Sequence, residues 1–111
     1  MAEVFKNAYE DGTTSLADLI PALDSGHSAI VLSLRATNVD GTNDATVDVR
    51  VVDSDGSNDA YIAYEMSVPA DTSLELAGSS KIVLDAGDKI QAKASATGDI
   101  EFLASYLEIT D

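Results

Sequence analysis

Alternating apolar and polar residues constrain the fold of this chain more than any other feature of its sequence. In the stretch HSAIVLSLRAT, residues 27–37, Ile30, Leu32 and Leu34 share one face of an extended strand. The stretches ATVDVRVVD and DKIQAKASA repeat this alternation. A period of two predicts strands that bury one face in an antiparallel sheet. Clusters of Gly, Asn and Asp between the stretches predict turns.

The pattern predicts an all-β fold, namely an antiparallel β-sandwich that is jelly-roll-like and has about eight strands. A helix could begin in SLADLIPAL, but Pro21 would interrupt it, so we expect an extended segment that ends at Pro21. The last strand is apolar on both faces, which predicts a central position or a subunit contact. The predicted strands lie near residues 4–9, 15–20, 28–38, 45–53, 60–68, 73–77, 81–84 together with 88–96, and 99–109.

The length of 111 residues fits a single β-sandwich domain, residues 1–111. Neither a linker nor a low-complexity tract divides it. Residues 1–12 are predicted to be either an N-terminal arm or an edge strand, because a chain end is ordered only when it is tied down.

Two acidic loops, NVDGTNDAT and DSDGSNDAY, echo one another along the chain. Calcium prefers several oxygen ligands, and aspartates at alternating positions supply them. An EF-hand loop that starts at Asp53 would need an acidic residue at its twelfth position, where Tyr64 stands. Turn chemistry of the two Asp-Gly pairs explains both loops without a cation. We therefore predict two turns and no metal or cofactor, with calcium as the alternative. Its candidate ligands are Asp53, Asp55, Asp59, Asp40 and Asp44.

Composition argues against several classes of function. With 20 acidic and 6 basic residues the net charge is −14, and the basic residues are dispersed, which predicts no nucleic-acid partner. No secretory signal and no run of about 18 apolar residues is visible, so we expect synthesis in the cytoplasm and no membrane partner. The chain has no Cys, and its single His27 lacks a visible catalytic partner. Neither a G-x-S-x-G elbow nor a phosphate loop occurs, so no enzyme is predicted.

One succession of short segments carries a resemblance to a known class of proteins. Val68-Pro69-Ala70 precedes SLEL at 73–76, then LDAGDKIQAKA at 84–94, and the closing strand ends in Glu108-Ile109. This order resembles small virion structural proteins of tailed bacteriophages, especially those of marine and cyanobacterial hosts. The resemblance covers nearly the whole chain, and the same pattern occurs as a module in phage tail and fibre proteins.

The resemblance implies a non-enzymatic head decoration, or cement, protein on the outer capsid surface of the virion. Its partners would be the major capsid protein and further copies of itself, with a trimer favoured. The alternative is a tail, fibre or head-fibre module that binds a host receptor or glycan, with calcium at the acidic loops. We expect the six aromatic residues in the core or at a subunit contact. The predicted subunit or capsid contacts are Val4, Phe5, Tyr9, Leu103, Leu107 and Ile109.

Overall fold

Two antiparallel sheets pack face to face in the computed structural model, which describes residues 2–78 and 81–111. Regular structure in these residues consists of strands alone, which confirms the all-β sandwich. In the same residues there is no helix long and apolar enough to cross a membrane. The described strands are β1 (Ala2–Asp11), β2 (Ala17–Ile20), β3 (His27–Asn38), β4 (Ala45–Val52), β5 (Ala60–Val68), β6 (Ser73–Glu75), β7 (Ile82–Leu84), β8 (Lys89–Ala94) and β9 (Ile100–Thr110).

Sheet A has the strand order β1-β9-β3-β6, and β7 pairs with β3 beside β6. Sheet B has the order β2-β8-β4-β5. The chain changes sheets at every connection except β4–β5 and β6–β7. The last strand, β9, lies between β1 and β3, so its predicted central position is confirmed. The jelly-roll-like description stays a prediction.

The core forms where the inner faces of the two sheets meet. Every second side chain of β9 from Ile100 to Tyr106 is buried, and β8 buries Ile90, Ala92 and Ala94 in the same manner. This alternation is the period of two that the sequence shows. Each large aliphatic side chain buried in this way contributes about 1.5–3 kcal/mol. The large aliphatic side chains less than 2% exposed are Ile20, Leu34, Leu84, Ile90, Ile100, Val31, Val47, Val49 and Val68.

One predicted element divides into two. Residues 81–84 and 88–96, expected together, form β7 in sheet A and β8 in sheet B. A tight turn separates them, in which the Asp88 amide donates to the Asp85 carbonyl at 3.0 Å and the Asp85 amide donates to the Asp88 carboxylate at 2.9 Å. Gly87 has a φ of 87°, which glycine adopts without strain. This turn carries the chain from one sheet to the other.

The segment before Pro21 is extended, as predicted. Strand β2 ends at Ile20, and both Leu19 and Ile20 are buried. Two consecutive buried residues fit the irregular pairing of β2 with β8, whose register shifts between Asp18 and Ile20.

Strand β1 is the outer strand of sheet A. Its ten residues pair with β9 along their whole length, from Ala2 opposite Thr110 to Asp11 opposite Glu101. The Ser105 hydroxyl donates to the Asn7 side-chain carbonyl at 2.6 Å, which reinforces this pairing. In the described chain, β1 pairs with no strand on its other side.

Candidate interaction surface

The outer face of sheet A carries a continuous apolar row. Phe5 lies opposite Leu107, Leu107 opposite Ile30, and Ile30 opposite Val83, so the row crosses β1, β9, β3 and β7. Directly opposed residues of antiparallel strands project from the same face. Phe5 is 76% exposed and Val83 is 65% exposed. We call these four residues the apolar row.

A second row runs parallel to the first and contains Tyr9, Leu103 and Arg35 on β1, β9 and β3. Tyr9 is 74% exposed, and a shallow groove of about 370 Å³ lies against all three residues. Between the two rows stand the uncharged polar residues Asn7 and Ser105.

Charge is almost absent from the centre of this face. Across β1, β9 and β3, the two rows and the polar row between them carry one charge, that of Arg35. Acidic residues border this area, with Glu3 on one side, Asp11 and Glu101 on the other, and exposed Glu75 on β6 directly opposite Arg35. Arg35 is exposed and makes no ion pair within the described residues. In a chain with a net charge of −14, such an exposed uncharged area is typical of an interaction site.

The outer face of sheet B has the opposite character. Arg50 donates two hydrogen bonds to the Gln91 side chain, at 2.9 and 3.1 Å, and Gln91 donates to Asp18 at 3.1 Å. Such a network keeps a sheet face hydrated, so sheet A offers the more apolar surface. The ion pairs around this network are Lys89–Asp18, Lys93–Asp48 and Arg50–Asp59.

The structure brings most of the predicted contact residues together. Phe5, Tyr9, Leu103 and Leu107 lie in the two rows, and Ile109 lies opposite Glu3 at the margin of the same face. Val4 differs, because it lies opposite Glu108 and therefore on the other face of β1. Their role in a contact stays a prediction.

A second exposed apolar area, which the sequence reasoning missed, lies on β5 at the edge of sheet B. Tyr61, Tyr64 and Met66 are 46%, 62% and 39% exposed, and the two tyrosine rings meet edge to face at 4.8 Å. Met66 lies opposite buried Val47 and therefore projects to the other face of β5 from Tyr61, which lies opposite Arg50. We call Tyr61 and Tyr64 the tyrosine patch.

The register with β4 shifts between Tyr61 and Ala63, which turns Tyr61 and Tyr64 to the same side. It shifts again around Glu65, whose φ is 48° and whose amide donates to buried Asp48 at 2.7 Å.

Phe102 and Tyr106 fill the core, as expected. The other four aromatic residues are exposed to solvent in this single chain, so their expected place at a subunit contact stays a prediction. The spacing in YIAYEM could have indicated the exposed tyrosine pair. Tyr61 and Tyr64 are three residues apart and project from the same face only if the strand bulges between them.

The carboxylates of the second acidic loop bind donors within their own loop. The Ser57 amide donates to Asp53 at 3.1 Å and to Asp55 at 2.9 Å, and the Ser57 hydroxyl donates to Asp55 at 2.6 Å. These Ser57 bonds lower the pKa of Asp55 to about 2. Asp59 lies outside this arrangement and pairs with Arg50 at 3.4 Å. The geometry is that of a turn stabilised by its own aspartates.

The first acidic loop is organised in the same way. The amides of Thr42 and Asn43 donate to the Asp40 carboxylate at 2.8 and 3.1 Å, which lowers the pKa of Asp40. Asp44 accepts a hydrogen bond from the Ala70 amide at 3.0 Å and so joins the loop to the chain beyond β5.

The two acidic loops lie at opposite ends of β4, because one follows β3 and leads into β4 whereas the other leaves it. Eight residues of strand separate them, about 26 Å at the usual rise. Their carboxylates therefore do not form one site. In the part of the chain that the structure describes, no group of three or more His, Cys, Asp or Glu side chains is placed to hold a metal ion.

A compact polar cluster ties β1 and β3 to β9. The Glu108 carboxylate lies 3.1 Å from the Lys6 ammonium and 2.5 Å from His27 Nδ1. Burial opposes ionisation of Glu108, but the hydrogen bonds to His27 and Lys6 outweigh it, so the pKa of Glu108 lies below its ordinary value. The hydrogen bond and the ion pair with Glu108 raise the pKa of Lys6. Burial raises the pKa of the Tyr106 hydroxyl. These contacts fasten the edge strand and need no ligand.

Comparison with solved structures places this fold among proteins of several kinds. A chain from the acid-stable capsid of Helicobacter pylori bacteriophage KHP30 is similar at a TM-score of 0.54 and 14% identity, over 97% of this chain and 87% of that chain. The Drosophila NLP core, studied for pentamer formation and histone binding, is similar at 0.55 and 13% identity, over 99% of both chains.

A pentameric capsid protein isolated from metagenomic phage sequences is similar at a TM-score of 0.47 and 19% identity. The alignment covers 95% of the present chain and 62% of that protein, so this chain spans less than two thirds of its length. No protein-family model and no curated protein sequence matches the chain. At these identities the similarity establishes the fold alone.

Proposed function

We propose that this chain is a non-enzymatic structural protein of a tailed-phage virion, and that it binds the outer capsid surface as a head decoration protein. Its partners are the major capsid protein and further copies of itself, with a trimer favoured. The observation that carries the proposal is the outer face of sheet A, which is exposed, apolar and nearly uncharged on a strongly acidic chain. Such a face serves binding by area and shape.

Two further observations support the proposal. The fold is shared with a chain of the KHP30 phage capsid over most of both chains. The order of segments from Val68 to Ile109 resembles that of small virion proteins of tailed phages. The acidic surface outside the sheet A face keeps free copies soluble before assembly, since like-charged proteins repel one another.

Binding to capsids tests the proposal. Purified chain is mixed with capsids from a phage that lacks its gene, and the bound fraction is measured by sedimentation, with calcium and with a chelator. We expect saturable binding that calcium does not change, because the acidic loops are held by their own hydrogen bonds. Binding to tails or to host cells, or binding that needs calcium, would contradict the decoration role and favour a tail or fibre module.

A matched pair of variants connects this binding to the sheet A face. Phe5→Asp places a charge in the apolar row, whereas Val39→Asp places one on another exposed side chain, which is 49% exposed and lies outside both rows. We expect Phe5→Asp to reduce capsid binding and Val39→Asp to leave it unchanged. If both variants bind capsids equally well, the sheet A face does not make the capsid contact.

A further inference from the structure

We infer that the β1 strands of two copies of this chain pair antiparallel about a twofold axis beside Ala8, so that sheet A continues from one copy into the next. The inference goes beyond the proposed function, which names self-association but no contact that builds it. A twofold contact is compatible with the favoured trimer, because it can join one trimer to the next. The occupant of the free β1 edge is therefore a second copy of this chain.

The backbone groups along the free edge of β1 are the first argument. The Gly12 amide, directly after β1, donates to the Ile100 carbonyl at 2.8 Å. Bonded pairs alternate with non-bonded pairs along an antiparallel ladder, and the β1–β9 register has no shift, so the even-numbered residues of β1 bond to β9. The odd-numbered residues point their amides and carbonyls away from sheet A, and in the described chain these groups have no other backbone partner. They belong to Glu3, Phe5, Asn7, Tyr9 and Asp11.

Strand β1 also lacks the features that normally prevent an edge from pairing. Proteins protect sheet edges with short strands, prolines and bulges. The edge strands β2, β6 and β7 have four, three and three residues, and Pro21 directly follows β2. The edge strand β5 shifts its register with β4 and has a positive φ at Glu65. The ten residues of β1, in contrast, pair with β9 without a shift.

Symmetry and charge restrict the register in which two β1 strands can pair. Outward-pointing residues must face one another, so a residue lies at the twofold axis rather than a gap between residues. A register centred on Lys6 opposes two lysines, and one centred on Asn7 opposes Glu3 and Asp11. Like charges directly opposite one another destabilise a sheet. A register centred on Phe5 avoids like charges but forms no ion pair.

The register centred on Ala8 pairs opposite charges. In it, Lys6 of each copy lies opposite Glu10 of the other copy, and no like charges are directly opposed. Glu10 makes no ion pair within the described residues, and the Lys6 side chain remains 45% exposed beside Glu108. Residues 5–11 of the two strands then exchange about eight backbone hydrogen bonds. Such main-chain bonds supply the affinity when a strand is added to a sheet edge.

The exposed aromatic residues of β1 are the third argument. Phe5 and Tyr9 are 76% and 74% exposed in the single chain. In the register centred on Ala8, Phe5 of one copy is the diagonal neighbour of Tyr9 of the other. Diagonal neighbours lie about 7–8 Å apart, which aromatic side chains span. The pairing therefore covers both rings in part. Because an edge contact is small, we expect it to form at high local concentration.

Single cysteines test the register, since the chain has no Cys. Ala8→Cys places two thiols opposite one another at the axis, at a separation that a disulfide spans. Phe5→Cys is the control, because that side chain is well exposed but lies about 20 Å from its counterpart in this register. Both variants are oxidised at equal concentration and followed on non-reducing gels, and circular dichroism and melting check their folds.

We expect Ala8→Cys to form a covalent dimer at least about tenfold faster than Phe5→Cys, because pairing raises the effective concentration of its thiols. Absence of a dimer in Ala8→Cys, or equal rates in the two variants, would overturn the inference. A faster dimer in Asn7→Cys would overturn it too, because the axis would then lie beside Asn7.

Two charge reversals in the Ala8→Cys background test the contact of Lys6 with Glu10. Glu10→Lys opposes Lys6 to a second lysine, whereas Glu3→Lys changes the net charge equally but lies outside the paired residues. We expect Glu10→Lys to slow dimer formation and Glu3→Lys not to slow it. Equal rates in these two variants would contradict the register and with it the inference.

Hydrogen exchange of the wild type tests the same contact without any substitution. The amides of Asn7 and Tyr9 point away from sheet A, so they should exchange rapidly in dilute solution and become protected at high concentration. The Ala8 amide bonds to β9 and should be protected at both concentrations. Exchange of Asn7 and Tyr9 that does not depend on concentration would overturn the inference. None of these experiments uses capsids, so their failure leaves the decoration role standing.

Discussion

Replacement of Asn38 by alanine tests how the first acidic loop is held. The Asn38 side chain is 1% exposed and lies at the end of β3. Its amide donates to the carbonyls of Val68 at 2.9 Å and Asn43 at 3.0 Å, and its carbonyl accepts from the Asp40 amide at 2.8 Å. One buried side chain therefore joins the loop to the end of β5.

The magnitude follows from these three bonds. A buried polar group left without its partner costs about 1–3 kcal/mol, and the backbone carbonyl of Val68 would become such a group. The other two partners are only partly buried and recover water, so we expect Asn38→Ala to lower the free energy of unfolding by about 2–4 kcal/mol. For a chain of this length, that is a fall in Tm of roughly 8–16 °C.

The assay is thermal and urea unfolding, each with calcium and with a chelator. The control is Asn43→Ala, whose side-chain amide makes only an exposed bond to Asp40 at 3.2 Å and should cost less than about 0.5 kcal/mol. Equal stability of the two variants would refute the reasoning. A calcium-dependent rise in the wild-type Tm would contradict the turn interpretation of the loop.

Four further predictions concern other parts of the molecule. The folded-state pKa of Glu108 lies below its ordinary 4.5. The ionised carboxylate therefore stabilises the fold above pH 4.5, and this contribution is lost as the pH falls through the folded-state pKa. The Tm of the wild type should therefore fall more steeply on acidification than that of Glu108→Gln. Gly87→Ala should cost about 2 kcal/mol more than Gly98→Ala, because both have positive φ but only the first would bring Cβ to 2.5 Å from a neighbouring side chain. Asp55→Ala should shift the Tm little, since its bonds lie on an exposed turn, and a loss of several degrees seen only with calcium would contradict this. Leu107→Asp should dissociate the oligomer, and an unchanged mass in light scattering would remove β9 from the contact.

Much of the strand content follows from the sequence, because burial of one face imposes a period of two. Strand β5 occupies residues 60–68 as predicted, and β3 and β4 differ from the prediction by one residue at one end. The expected common face of Ile30 and Leu34 was wrong, because a register shift between Val31 and Ser33 leaves Ile30 on the outer face and Leu34 in the core. The prediction of an extended segment before Pro21 is also confirmed, since a proline in a short helix removes a hydrogen bond that such a helix needs.

Strand order was not predictable from local pattern, since pairing depends on contacts between distant parts of the chain. Nothing within residues 81–96 indicates that its two halves belong to different sheets. The separation of the two acidic loops could be predicted from the sequence. A single strand, β4, runs from one loop to the other, so the loops lie at its opposite ends. The tyrosine patch was missed because its bulge breaks the alternation on which the prediction relied.

The copy number of the chain in purified virions of the phage that encodes it distinguishes a head decoration protein from other virion components. Quantitative mass spectrometry gives this number relative to the major capsid protein. The decoration role predicts a count equal to the capsid protein count or to a simple fraction of it. A handful to a few dozen copies would contradict that role and move the chain to a vertex, neck, tail or fibre, and absence from virions would contradict a structural role in the virion.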